Sequence, residues 1–120
     1  MVLEALDVVL MRGGTSRGVF LRKEQVPNGR RDETLIKLLG SPDPLQVDGL
    51  GGGFSSTSKA MLVSLNHSGV VNYLFAQIAV DKPLVDYSGN CGNLTSAVGP
   101  YAVDQGLVKI SESDEVQEED

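Results

Sequence analysis

One cysteine and one histidine are all the soft metal ligands that 120 residues offer, too few to complete a four-ligand zinc site. A single thiol also excludes an internal disulfide, so neither a structural metal nor a covalent staple is expected. No apolar run approaches the roughly 20 residues of a membrane span. The opening "MVLEALDVVL" lacks the basic region of a secretory signal. The expectation is therefore a cytoplasmic chain with no membrane partner. A basic excess is missing too. The formal net charge is -6, but six acids and no base fall in the last ten residues, "SESDEVQEED", leaving ten basic against ten acidic groups before them. Aromatic residues make up 5% of the chain and do not interleave with its arginines and lysines, which excludes a nucleic-acid surface.

What is present suffices for one domain. Hydrophobic residues make up 41% of the chain, and a chain of this length can bury roughly two-thirds of its unfolded surface. Residues 1–110 read as the domain, and 111–120 as an acidic, solvated, disordered tail. "LEALDVVLM" and "VFLR" read as strands around the glycine turn "RGGTSRG", a hairpin-like opening. "DETLIKLLG" sets Leu35, Ile36, Leu38 and Leu39 on one side of a short helix stopped by Gly40, and "SPDP" breaks it. Residues 45–58 form a long Gly- and Ser-rich loop. "KAMLVSLN" and "VVNYLFAQIAV" read as strands joined by "HSG". "CGNLTSAVGPYAVDQG" reads as a helix ended by Gly106 and kinked or broken at Pro100, before a last short strand, "LVKI".

Four stretches carry groups suited to chemistry. In "MRGGTSRG", Arg12 and Arg17 flank Gly13, Gly14, Thr15 and Ser16, whose hydroxyls and bare N–H groups suit a carboxylate. The same residues also fit a plain hairpin turn with solvated arginines. "GLGGGFSSTSK" is no phosphate loop: Ala60 follows Lys59 where Ser or Thr is required, no glycine precedes the lysine, and Phe54 stands where a G-x-G-x-x-G motif needs its last glycine. Lys59 follows a hydroxyl-rich loop and opens an apolar strand. As a base at pH 7 an unperturbed lysine starts with a deficit of roughly 4.6 kcal/mol, so burial or nearby cations must remove most of it; otherwise Lys59 is a surface lysine at a strand edge. His67 lies in a polar turn and reads as solvent-exposed. In "YSGNCGN", Gly89 and Gly92 flank Cys91, and Asn90 and Asn93 can cap a helix or point amides at a ligand. N–H groups at a helix mouth favour a thiolate; the competing reading is a buried small hydrophobe.

"MRGGTSRG", "GSPDP", "DGLGGGFSSTSK", "YLFAQIAVDKPLVDYSGNCGN" and "AVGPYAV" resemble, in order and spacing, the amino-terminal part of the PrpF family, which includes 2-methylaconitate isomerases and 4-oxalomesaconate tautomerases. The resemblance runs from about Met11 to Val108. It implies an α+β, diaminopimelate-epimerase-like fold, with a curved, mostly antiparallel sheet around a central helix and an active site in the cleft between two such domains. It also implies cofactor-independent proton transfer that shifts a double bond, or its cis/trans geometry, in a small unsaturated polycarboxylate. By this resemblance Lys59 and Cys91 fall on the catalytic lysine and the active-site cysteine. Arg12, Gly13, Gly14, Thr15 and Ser16 fall on the carboxylate-binding turn; Ser56, Ser58, Asn90, Gly92 and Asn93 complete the expected substrate-binding set.

Such a reaction passes through an extended enolate, which calls for N–H groups and cationic charge, and for one group that both takes and gives a proton. Lys59 is that group here. Cys91 either exchanges a proton at the opposite face or shapes the pocket. A two-thiol racemase is disfavoured, because the chain has no second cysteine. Family members are several times longer, so 1–110 reads as a partial domain that self-associates or depends on a missing second domain. "DYSGNCGN" favours 2-methylaconitate over the tautomerase substrate. The competing reading from another class is a non-catalytic carboxylate-binding or assembly module of the same fold.

Overall fold

The computed structural model describes residues 6–46, 49–107 and 118–119. Two strands open it, β1 (Val8–Gly13) and β2 (Ser16–Arg22), paired antiparallel from Val8↔Leu21 to Gly13↔Ser16. The turn is thus only Gly14–Thr15, tighter than the sequence suggests, and most of "RGGTSRG" belongs to the strands. Gly14 supplies the positive φ of 56° that such a two-residue hairpin turn needs at its first position.

After two 3₁₀ turns, α1 (Arg31–Leu39) carries Asp32 and Glu33 in its first turn and Lys37 in its last, matching the backbone dipole. Gly40 ends it at φ 90°, with the Gly40 and Ser41 N–H groups returning to the Ile36 carbonyl. The loop expected at 45–58 is present among its described residues. It leads into β3 (Lys59–Leu65), which pairs in parallel with β2, as the long connection through α1 permits. Asn66 holds the next turn by accepting from the Ser68 and Val70 N–H groups, and β4 (Val71–Ile78) returns antiparallel to β3.

Two strands escape the sequence pattern because each is two residues long, too short for any period: β5 (Val85–Asp86), antiparallel to β4, and β6 (Glu118–Glu119), parallel to it. The order is β1-β2-β3-β4-β5. Apart from Leu107, the expected strand "LVKI" lies outside the described residues, as does the acidic tail apart from β6.

The single helix expected at 91–106 is two: α2 (Gly92–Thr95) and α3 (Val98–Asp104). The break falls before Pro100, not at it. Pro100 is the third residue of α3, in the first turn, where the missing N–H would have had no intrahelical partner. Gly106, at φ 72°, closes α3 as expected, with Leu107 N–H bonded to the Ala102 carbonyl.

Alternation along the strands splits the core across the two faces of the sheet. Phe20, Met61, Val63, Val71 and Phe75 pack against Leu94 of α2 and Val98, Tyr101 and Ala102 of α3. Val19, Leu21, Ala60, Leu62, Ala76 and Ile78 pack against Leu35 and Leu39 of α1 on the other face. The result is a mixed α+β layer structure, with three of the five described pairings antiparallel. Among the described residues no helix is long and apolar enough to cross a membrane.

Candidate active site

At one end of the sheet three pieces meet: the β1–β2 hairpin tip, the first residue of β3, and the turn that enters α2. Glycines permit it. A Cβ on Gly13 would lie 1.9 Å from the Asn93 carbonyl oxygen, and one on Gly18 would lie 2.6 Å from Leu94 Cδ1. Without side chains there, α2 lies directly on the hairpin, and Cys91 at its N-cap is brought over the sheet.

Ser16 and Lys59 lie on that same face, by the alternation that also directs Phe20 and Met61 towards α2 and α3. Lys59 Nζ donates to Ser16 Oγ at 2.9 Å and contacts Cys91 Sγ at 3.4 Å. The Cys91 thiol lies 3.6 Å from Ser16 Oγ. The thiol is 8% exposed and Ser16 3%, whereas Lys59 is only partly buried. Of the three residues Lys59 is the least buried.

Burial alone pushes the Cys91 thiol up, but the Leu94 N–H, the Ser16 hydroxyl and the Lys59 ammonium outweigh it and hold the thiol below its ordinary value. The Leu94 amide faces the sulfur without completing a strict cap hydrogen bond. α2 has only four residues, so this lowering owes more to individual donors than to the helix dipole the sequence suggests. Cys91 is buried within the core layer that holds Phe20 and Leu94, as the reading of a small buried hydrophobe expects, and its sulfur also contacts Lys59 and Ser16.

The other expected site residues divide. Thr15 and Asn93 meet at the rim, Asn93 Nδ2 donating to Thr15 Oγ1 at 2.9 Å. Gly14 and Gly92 are exposed beside them, and Gly92 has open space around it. Asn90 is exposed and accepts from Thr95 Oγ1 at 3.4 Å. Ser56 is exposed, and its carbonyl accepts from Arg17 N–H at 3.0 Å, pinning the loop to the hairpin.

Two residues are not brought to the pair. Arg12 is exposed and stands opposite Arg17, on the sheet face shared by Val8 and Val19 rather than that of Ser16. Ser58 is fully buried; its hydroxyl donates to the Ile78 carbonyl at 2.7 Å and accepts from Gln46 Nε2 at 2.8 Å. Arg12 pairs with Arg17, the residue after Ser16, and Ser58 is the residue before Lys59, so the period of two turns both away from the pair. His67 is exposed in its turn, as expected. A cavity of about 190 Å³, lined by residues 73–75 and 87–90, adjoins the cysteine turn but includes neither Lys59 nor Cys91. Gln77 was missed: it stands opposite Lys59 in the β3–β4 register, a relation no local sequence signal carries.

The family model of the PrpF protein matches residues 3–117. The chain belongs to the PrpF family. It is 53% identical over 110 residues to a 2-methyl-aconitate isomerase of Shewanella oneidensis, a match covering 82% of this chain and 27% of that protein. It is 46% identical over 110 residues to a 4-oxalomesaconate tautomerase of Pseudomonas putida, covering 88% of this chain and 30% of that one. Its fold matches the crystal structure of a methylitaconate-delta-isomerase with a TM-score of 0.82 at 41% identity, over 89% of this chain and 29% of the other. The chain thus spans less than a third of the length of each of these PrpF relatives.

Proposed function

We propose that the protein carrying this chain is an isomerase that shifts a double bond, or its cis/trans geometry, in a small unsaturated tricarboxylate such as 2-methylaconitate, by proton transfer without a cofactor. The observation that carries this reading is the Lys59–Cys91 contact at 3.4 Å, with Ser16 bridging both groups. Double-bond migration needs a proton removed from one carbon and one returned two carbons away, with negative charge spread between them. A part-exposed amine in contact with a thiol of lowered pKa combines a cation for that charge with two groups that exchange protons. With the proton that the pair shares placed on sulfur, the neutral Lys59 amine takes a proton from carbon; the ammonium so formed faces the enolate charge and returns a proton two carbons away, while Cys91 sets its orientation and charge. Thr15, Asn90, Gly92 and Asn93 form the polar rim on which the substrate carboxylates rest. The tautomerase substrate needs the same chemistry, and the identity of the cysteine turn favours 2-methylaconitate.

Incubation in deuterium oxide tests the reading. Deuterium is expected to enter 2-methyl-trans-aconitate or its cis isomer. Entry into oxalomesaconate alone would move the assignment to the tautomerase. No exchange into any unsaturated tricarboxylate, together with ligand-induced thermal stabilisation, would make the protein a carboxylate-binding module.

A further inference from the structure

We infer that Gln46 and Gln77 are positioning residues that clamp the segment entering β3 from its two sides and thereby set the place of Lys59 beside Cys91. Gln46 is 1% exposed, and its entire amide is used. Nε2 donates to Ser58 Oγ at 2.8 Å and to Ser41 Oγ at 3.1 Å, while Oε1 accepts from Gly53 N–H at 2.8 Å. Its backbone takes a φ of 48°, uncommon for a residue with a side chain, to deliver that amide inward. The loop is shaped to receive it, since a Cβ on Gly51 would lie 2.0 Å from Gln46 Oε1. On the other face, Gln77 Nε2 donates to both the Ser55 and Ser58 carbonyls at 3.0 Å.

Ser58, the residue before Lys59, is consequently held at every polar atom with a described partner. Its hydroxyl lies between Gln46 and the Ile78 carbonyl, and its own carbonyl accepts from Ile78 N–H and Gln77. A glycine- and serine-rich loop has little side-chain packing of its own to fix where a strand begins. Here two buried or part-buried amides do so instead. Losing Gln46 takes the acceptor from the Gly53 N–H and one of two bonds from the Ser58 hydroxyl, and losing Gln77 releases the Ser55 carbonyl and one of two bonds to the Ser58 carbonyl; either loss loosens the loop end and displaces the first residue of the strand. The inference rests on Lys59 and Cys91 being the working pair, and it deepens that reading.

Cys91 is the only cysteine, and there is no tryptophan, so ultraviolet titration of the thiolate against a Cys91→Ser blank reports on this one contact without requiring turnover. The charged group that acts on the sulfur is Lys59 from β3; β2 offers the Ser16 hydroxyl and α2 the Leu94 N–H. The wild-type chain, Gln46→Met, Gln77→Met and Lys59→Met are titrated, with circular dichroism to confirm folding. Gln46→Met and Gln77→Met are each expected to raise the titration midpoint and lower the thiolate fraction at pH 7 about three- to tenfold, the worth of one hydrogen bond. Lys59→Met is expected to raise it at least as much. Gln77 lies near the surface, so its variant keeps the test open if Gln46→Met does not fold. A normal profile in a folded glutamine variant, with a raised midpoint in Lys59→Met, overturns the clamp and leaves the pair standing. An unchanged profile in Lys59→Met overturns the pair, and the clamp with it.

Discussion

Lys59 and Cys91 divide the proposed chemistry by exposure, and substitution tests that division. Removing a general base costs about 10²- to 10⁴-fold in rate, so Lys59→Ala in the turnover-competent protein is expected to fall in that range in steady-state isomerisation. Cys91→Ser is expected to cost less, because a hydroxyl keeps the hydrogen-bonding contact with Lys59 and Ser16 and loses only the thiolate. A serine variant as slow as the alanine variant, while still binding ligand, would make Cys91 a proton carrier and reverse the assignment. The same thiol gives a pH signature. Its pKa is lower in the fold than the ordinary 9.0 of an unfolded thiol. Its contribution to stability is therefore fully present above 9.0 and lost as pH falls through the folded value. Urea unfolding of wild type against Cys91→Ser is expected to show a stability difference that grows with pH across that window; a flat difference would contradict the lowered thiol.

The hairpin and α2 work as one element because glycine brings them together. Gly13→Ala sets a methyl group 1.9 Å from the Asn93 carbonyl, a backbone atom that cannot rotate away. The expected result is a loss of about 1–3 kcal/mol in thermal or urea unfolding, with α2 shifted from the hairpin and the Cys91 titration moved toward that of a free thiol. Pro100→Ala is the contrasting case. Pro100 lies in the first turn of α3, where no hydrogen bond is restored by the change, so the effect is expected to stay within about 1 kcal/mol. A large stabilisation on that substitution would show that proline strains α3.

At the scale of the molecule, Lys59, Thr15, Asn90 and Gly92 sit at a sheet end whose rim is exposed among the described residues. Leu45, Phe54 and Leu84 are 71%, 68% and 59% exposed. Fixed donors act strongly on a developing charge only where water is excluded. The 120-residue chain by itself is therefore expected to turn over unsaturated tricarboxylates far more slowly than the full-length Shewanella relative, of which it matches 27%. It is also expected to self-associate through its apolar surface. Sedimentation at several concentrations, alongside a turnover assay, checks both; a monomer with the relative's full activity would overturn this account of the site.

The sequence by itself determined what local chemistry can encode. The apolar runs of β3 and β4, the hairpin-like opening, the glycine stops at Gly40 and Gly106, and the single cysteine between its two glycines were legible because each depends on neighbours within a few residues; Lys59 stood out from a surface lysine only through the family resemblance. Tertiary structure decided the rest. Arg12 and Ser58 read as partners of the site, but Arg12 lies on the opposite sheet face and Ser58 is buried against Gln46 and the Ile78 carbonyl. Ser16 reads as one of several turn hydroxyls, yet it bridges lysine and thiol. Gln77 carries no local signal, and only the register of β3 and β4 places it opposite Lys59. In each case the deciding quantity is which face a side chain takes once register is set. Register is fixed by packing between segments far apart in the chain, not by any stretch read alone.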